Sequence, residues 1–257
     1  MSFLKEKIYN YQLRLLKRLL PIVVPPEYQV NIPFKKIGSD YGFVAVPDGA
    51  LNADSVVYSV GAGLDVHSDV DTALEYGCEV YLFDPTPRAV RHFQQLQEKT
   101  AAGEPMSAEA GPPYRATSEV MKKLIYQELA LWDKDEPVQF FVPENPEYVS
   151  HSITNILAAS KSIEVPARTL ATIMHDLGHT RVDYLKLDIE GAEFRVVKQI
   201  LDSKSPVKVL YLEYHYDKNI APRTNIRMIQ DSLDSLFRTG YRVFYQSQRR
   251  YFGLIMR

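Results

Sequence analysis

Tyr184-Leu185-Lys186-Leu187-Asp188-Ile189-Glu190-Gly191-Ala192-Glu193 is the stretch whose reading decides the fold. Its first half completes an apolar, β-rich run, Val182–Leu187, of the length of a buried strand. The run passes without a linker into Asp188, Glu190 and Glu193, three carboxylates where a helical pattern begins. Acidic residues at a helix start complement its dipole, which is the ordinary structural reason for them. Asp188, however, stands on the strand end, and open parallel sheets bind ligands outside the carboxyl ends of their strands. A carboxylate there has the chemistry to contact a ligand, orient a nucleophile or take its proton.

Working outward, strands and helices alternate. Upstream, a run over 55–60 ends at Gly61-Ala62-Gly63, a helix is predicted over 68–77, and Glu79–Phe83 closes at Asp84-Pro85. Pro87 suits a first helical turn, and Ala89, Phe93 and Leu96 supply that helix's apolar face. Residues 101–118, with Gly103, Pro105, Gly111, Pro112 and Pro113, read as a loop. A third strand is predicted over 124–132 and a short antiparallel addition over 138–142. Residues 143–165 read as mostly loop carrying His151, Ser152 and Asn155, followed by a helix over 167–177. Downstream, Phe194, Val197 and Leu201 mark the inward face of the helix after Asp188. A strand over 208–214 then runs to Glu213-Tyr214-His215. A helix with Ile226, Ile229, Leu233, Leu236 and Phe237 stops at Gly240, and runs over 241–245 and 251–256 form a closing hairpin. The alternation predicts an α/β, Rossmann-like domain with a mostly parallel seven-stranded sheet, a C-terminal antiparallel hairpin and an N-terminal helix.

The 257 residues, 46% hydrophobic and 24% charged, suit one soluble α/β domain with appendages. A net charge of −2 gives no electrostatic reason to expect nucleic acid. The lone Cys78 excludes an internal disulfide and makes a reducing cytoplasm the default. No apolar run is long enough to cross a membrane. Leu4, Ile8, Tyr11, Leu15 and Leu19 recur at helical spacing, and Lys5, Lys7, Arg14, Lys17 and Arg18 make that helix basic. Such a helix packs on the domain or on a second subunit, as in a homodimer, or lies on an anionic membrane as a peripheral contact. Pro21, Pro25 and Pro26 end it, so residues 1–26 read as helix and linker and 27–257 as the main domain.

Gly61 and Gly63 allow a tight turn and close approach of a ligand. Asp84 follows Gly61 by 23 residues, near the ~20 at which an acid reaches ribose hydroxyls. A dinucleotide would want a third glycine where Val66 stands, and Asp65 would face its pyrophosphate. S-adenosylmethionine has no phosphate and carries a positive sulfonium, which acidic surroundings suit. Gly61, Gly63, Asp65, Asp84 and Asp188 are therefore the cofactor-binding candidates. Asp188, Glu190 and His215 are the catalytic candidates, His215 because an ordinary imidazole titrates near about 6.5. A metal-assisted variant would have Asp188, Glu190 and His215 ligate Mg²⁺, but their spacing does not single it out and no residue is assigned to a metal. Arg249 and Arg250 read as solvated surface charge.

Val57-Tyr58-Ser59-Val60-Gly61-Ala62-Gly63, Phe83-Asp84-Pro85-Thr86-Pro87, the 185–193 string and Leu212-Glu213-Tyr214-His215 together resemble the FkbM family of methyltransferases. The resemblance covers roughly 40–245, and its Lys-x-Asp-x-Glu-Gly-x-Glu string is the specific element. It implies a class I methyltransferase fold and S-adenosylmethionine as donor. It also implies O-methylation of a sugar, glycan or secondary metabolite as small-molecule or glycan acceptor. Carried over by position, Gly61 and Gly63 approach the donor's amino-acid moiety, Asp84 its ribose, and Asp188 and Glu190 face the reaction crevice. The common methyltransferase loop begins with an acid and holds a third glycine; here Ser59 and Asp65 stand in those places. That departure keeps open a non-catalytic S-adenosylmethionine-binding module. A nucleotide-dependent oxidoreductase is the weaker alternative, with the missing third glycine against it.

Overall fold

The computed structural model describes residues 7–13, 22–40, 42–108, 111–142, 161–217 and 219–257. The first helix, α1, occupies residues 7–13. A hairpin of β1 (Phe34–Gly38) and β2 (Phe43–Pro47) precedes the alternating region. Then come β3 (Val56–Val60), α2 (His67–Tyr76), β4 (Glu79–Phe83), α3 (Pro87–Ala101), α4 (Ser118–Met121) and β5 (Leu124–Gln127). Short strands β6 (Ala130–Leu131), β7 (Val138–Val142), β8 (Lys161–Val165) and β9 (Ala167–Arg168) lead to α5 (Leu170–Asp176). The second half is β10 (Val182–Leu187), α6 (Glu193–Ser203), β11 (Val207–Glu213), α7 (Pro222–Arg238), β12 (Tyr241–Ser247) and β13 (Tyr251–Met256).

Strands that read as near-continuous apolar runs are the ones buried on both faces, and they take the middle of the sheet. Its order is β12-β13-β11-β10-β3-β4-β5. The pairs from β11 through β5 are parallel, whereas β13 runs antiparallel to both β11 and β12. On one face Tyr58, Leu185 and Leu210 pack with Ile173, Val197 and Leu233 of α5, α6 and α7. On the other, Val57, Val80 and Tyr184 pack with Val70 of α2 and Phe93 of α3. The chain leaves β3 toward β4 on one side, while β10 pairs with β3 on the other. This is the switch point at which α/β sheets open a crevice. Register brings Lys186 level with Ser59 and Leu187 level with Val60 there.

Several expectations are corrected. The 124–132 strand is two: β5 joins the main sheet, the chain turns where the Leu129 amide donates to the Gln127 carbonyl at 2.8 Å, and β6 pairs with β9. Part of the expected 143–165 loop is β8, paired antiparallel with β7 outside the main sheet. His151, Ser152 and Asn155 lie outside the described residues. The β1–β2 hairpin carried no sequence signal; Phe34 packs on Phe244 and Tyr245, and the buried Tyr184 hydroxyl donates to the Ala45 carbonyl at 2.8 Å. In α6, Val196 and Ile200 are buried with Val197, while Phe194 is half-buried and stacks on Tyr214.

The face of α1 is turned relative to its spacing. Ile8 and Tyr11 are exposed, and Tyr9 is buried instead. The cause is a polar anchor: the Tyr9 hydroxyl accepts from Asn225 Nδ2 at 2.7 Å and donates to the Asp217 carbonyl at 3.1 Å. Leu4, Leu15 and Leu19 lie outside the described residues. Among the described residues, no helix is long and apolar enough to cross a membrane.

Candidate active site

A crevice of about 810 Å³ opens at the carboxyl ends of β3, β4, β10 and β11. Its first wall is the turn after β3. Gly61 has φ +84°, and a Cβ there would lie 1.8 Å from the Asp188 carbonyl oxygen, so only glycine lets β3 and β10 close this tightly. Gly63 has φ +59°, and a Cβ there would meet nothing within 4 Å, which leaves open space against the backbone. The Gly63 amide donates to Asp84 Oδ2 at 2.9 Å, while Asp84 Oδ1 accepts from the Thr86 amide and hydroxyl at 2.9 and 2.7 Å. The ends of β3 and β4 are thus tied through one buried carboxylate.

Asp65 is equally engaged. Its Oδ1 accepts from the His67 amide at 3.0 Å and faces His67 Nδ1 at 2.6 Å, and its Oδ2 accepts from Ser39 Oγ at 3.1 Å. The other ring nitrogen of His67 meets the Pro112 carbonyl at 2.9 Å. Both ring nitrogens therefore face oxygen acceptors, which fixes the ring's orientation. Through this chain the N-terminal hairpin and the 111–113 segment are strapped to the glycine turn.

The second wall is charged. Asp188 and Glu190 sit in the turn between β10 and α6, Glu213 ends β11, and His215 follows it. His215 Nδ1 donates to Glu193 Oε1 at 2.8 Å. His215 Nε2 points among three carboxylates, 3.7 Å from Asp188, 3.5 Å from Glu190 and 3.7 Å from Glu213. Burial alone would discharge this ring. The Glu193 hydrogen bond and charge, with Glu190 and Asp188, outweigh it and raise its pKa to about 10. The ring thus faces the crevice as a hydrogen-bond donor held in its charged form. The Glu213 carboxyl is pushed up by burial and by the charge of Asp188, against the pull of His215 and Arg250.

Two further cations complete the wall. Burial disfavours the Lys186 ammonium, but Asp188, Asp69, Glu213 and Asp65 more than compensate and keep it charged. Its Nζ donates to the Gly61 carbonyl at 3.3 Å and stands 3.9 Å from Asp188. Arg250 pairs with Glu213 Oε1 at 2.8 Å and donates to the Tyr251 hydroxyl at 2.6 Å. Asp188, Glu213 and His215 bring one ligand atom each within 4.8 Å of the others. Each carboxylate there already faces a protein cation, so the group reads as a charge-balanced cluster and is not assigned as a metal centre.

All of Gly61, Gly63, Asp65, Asp84, Asp188, Glu190 and His215 line this one crevice. Sequence reading missed Lys186, Tyr251, Gly42 and Phe43, which line it too, and set Arg250 aside as surface charge. Arg250 read as surface charge because nothing in the hairpin sequence shows that its turn folds back over Glu213. Glu193 was visible only as a helix-start carboxylate.

A glycine turn tied to an acidic strand end on one side, and a crowded carboxylate–imidazolium wall on the other, define an α/β ligand-binding fold equipped for group transfer. The chain belongs to the methyltransferase FkbM domain family, whose model matches residues 59–243. It is similar to the probable methyltransferase-like protein 24 of Rattus norvegicus, 25% identical over 198 residues covering 74% of this chain and 42% of that protein. The Homo sapiens protein of the same name is 24% identical over 202 residues, 76% of this chain and 43% of that one. The chain thus spans less than half the length of these relatives. Among solved structures, an O-methyltransferase family 2 protein from Planctomyces limnophilus in complex with apigenin gives a TM-score of 0.36 at 11% identity, covering 100% of this chain and 62% of that one. A putative transferase from Pyrococcus horikoshii gives 0.34 at 9%, covering 97% and 83%. Scores this low carry no argument about the site.

Proposed function

We propose that the protein is an S-adenosylmethionine-dependent methyltransferase of class I architecture, acting on a hydroxyl of a sugar, glycan or secondary metabolite. The observation that carries this reading is the division of one crevice into a backbone-built turn at Gly61 and Gly63 and an acidic wall at Asp188. The residues fit the donor. The open space at Gly63 admits close approach of its amino-acid part. Asp84 lies at the strand end from which a carboxylate reaches a ribose. Asp65 and Asp188 supply negative charge for an ammonium and a sulfonium. When bound, the donor supplies an electrophilic methyl group on a positive sulfur.

The chain's own contribution is positioning and proton transfer. Asp188, partly exposed to the crevice, takes the hydroxyl proton. His215 and Lys186 face it as fixed cations, 3.7 and 3.9 Å away. Arg250 and Tyr251 border the side away from the glycine turn, where they meet the acceptor's polar groups.

Calorimetric titration with S-adenosylhomocysteine, with NAD as control, tests this reading. The expected result is a Kd on the order of 1–10 µM for the former and no heat from the latter. Absence of S-adenosylhomocysteine binding refutes the reading. Binding without turnover on any sugar or metabolite hydroxyl would point to a non-catalytic module.

A further inference from the structure

We infer that Glu193 is the positioning residue of the acceptor side: one buried carboxylate fixes both the turn that carries Asp188 and Glu190 and the ring of His215. This rests on the methyl-transfer reading above. Glu193 is wholly buried and is not among the crevice-lining residues, so it touches neither substrate nor donor. Its Oε1 accepts from the Ile189 and Gly191 amides, both at 3.2 Å, and from His215 Nδ1 at 2.8 Å. Its Oε2 accepts from the Gly191 amide at 3.0 Å. A carboxylate serving only the dipole of α6 would have no use for an imidazole beyond the neighbouring strand; this one spans from α6 to the end of β11.

The consequence is directional. With Nδ1 committed to Glu193, the Nε2–H of His215 can only point into the gap between Asp188, Glu190 and Glu213. The charged groups around that gap are these three, Glu193 beneath, Lys186 from β10 and Arg250 from the β12–β13 turn. Like charges this close would otherwise hold on to protons. The clamped imidazolium sets one fixed positive charge against all three, beside the carboxylate that is to accept a proton.

Glu193→Gln keeps the shape of the clamp and removes its charge. The amide oxygen still accepts from Nδ1, but the anion that holds the ring doubly protonated is gone, so the ring gives up its second proton at lower pH. The experiment compares full-length wild type and Glu193→Gln by ¹⁵N NMR of the histidine rings, turnover against pH, and S-adenosylhomocysteine titration. The wild-type His215 ring is expected doubly protonated at pH 7.5 and the variant ring singly. Turnover of the variant at neutral pH should fall ~10-fold or more, its low-pH limb should move to higher pH, and donor-product affinity should stay within ~3-fold. A ring that stays doubly protonated in the variant, or an unchanged pH profile, overturns the inference. If the variant does not fold, the wild-type ring alone decides: titration near about 6.5 refutes the clamp, and charge retained above pH 8 supports it. If neither protein binds S-adenosylhomocysteine, the methyl-transfer reading fails while the ring spectra still judge the clamp.

Discussion

The two walls of the crevice are built on opposite principles. On the glycine side, the Asp84 and Asp65 carboxylates are held at ordinary hydrogen-bond distances by backbone amides, hydroxyls and the His67 ring. On the acidic side, the charged atoms that face the crevice stand mostly 3.5–3.9 Å apart, near enough for strong fields and too far for good hydrogen bonds. The first wall is a finished mould whose shape decides what binds. The second is a set of balanced charges whose protonation decides what happens. Shape changes should therefore dominate on one side and charge changes on the other.

The largest effect is expected from Gly61→Ala. A methyl group 1.8 Å from the Asp188 carbonyl oxygen forces backbone apart at a positive φ, and S-adenosylhomocysteine affinity should fall by ~100-fold or more. Normal affinity in that variant would break the mould description. Next comes Asp188→Asn, which keeps size and removes the proton acceptor. Its turnover should drop by ~100-fold while donor-product affinity changes less than ~3-fold, as read from single-turnover kinetics and calorimetry. Equal turnover would remove Asp188 from the mechanism.

The smallest effect concerns stability. His215 is raised to about 10 in the folded chain, against about 6.5 when unfolded. Its charge therefore stabilises the fold fully below about pH 6.5, and this contribution is lost as pH rises toward about 10. Urea unfolding across that window should show wild type losing stability faster than His215→Gln. Parallel curves for the two proteins would mean that the ring is not charged as described.

Much of this was legible in the sequence, for identifiable reasons. Val182–Leu187 is buried in the sheet centre, so its apolar run stands out, and the acids that follow it announce the crevice. Gly61, Gly63 and Asp84 were readable because a tight turn and a strand-end acid have fixed sequence spacing. The break after β5 was hidden because only Gln127 and Glu128 interrupt the apolar residues of 124–132, with no glycine or proline to mark the turn. The face of α1 was misjudged because a buried Tyr9–Asn225 hydrogen bond outweighs the placement of Ile8 and Tyr11. Most instructive is His215: its residue type predicts a base, and its charge is set by Glu193, a neighbour only in space.

The most direct test of this division is a titration of S-adenosylhomocysteine into wild type, Gly61→Ala and Asp188→Asn side by side. The account predicts micromolar binding to wild type and to Asp188→Asn, with none measurable for Gly61→Ala. Equal binding by all three, or loss of binding only in Asp188→Asn, would contradict it.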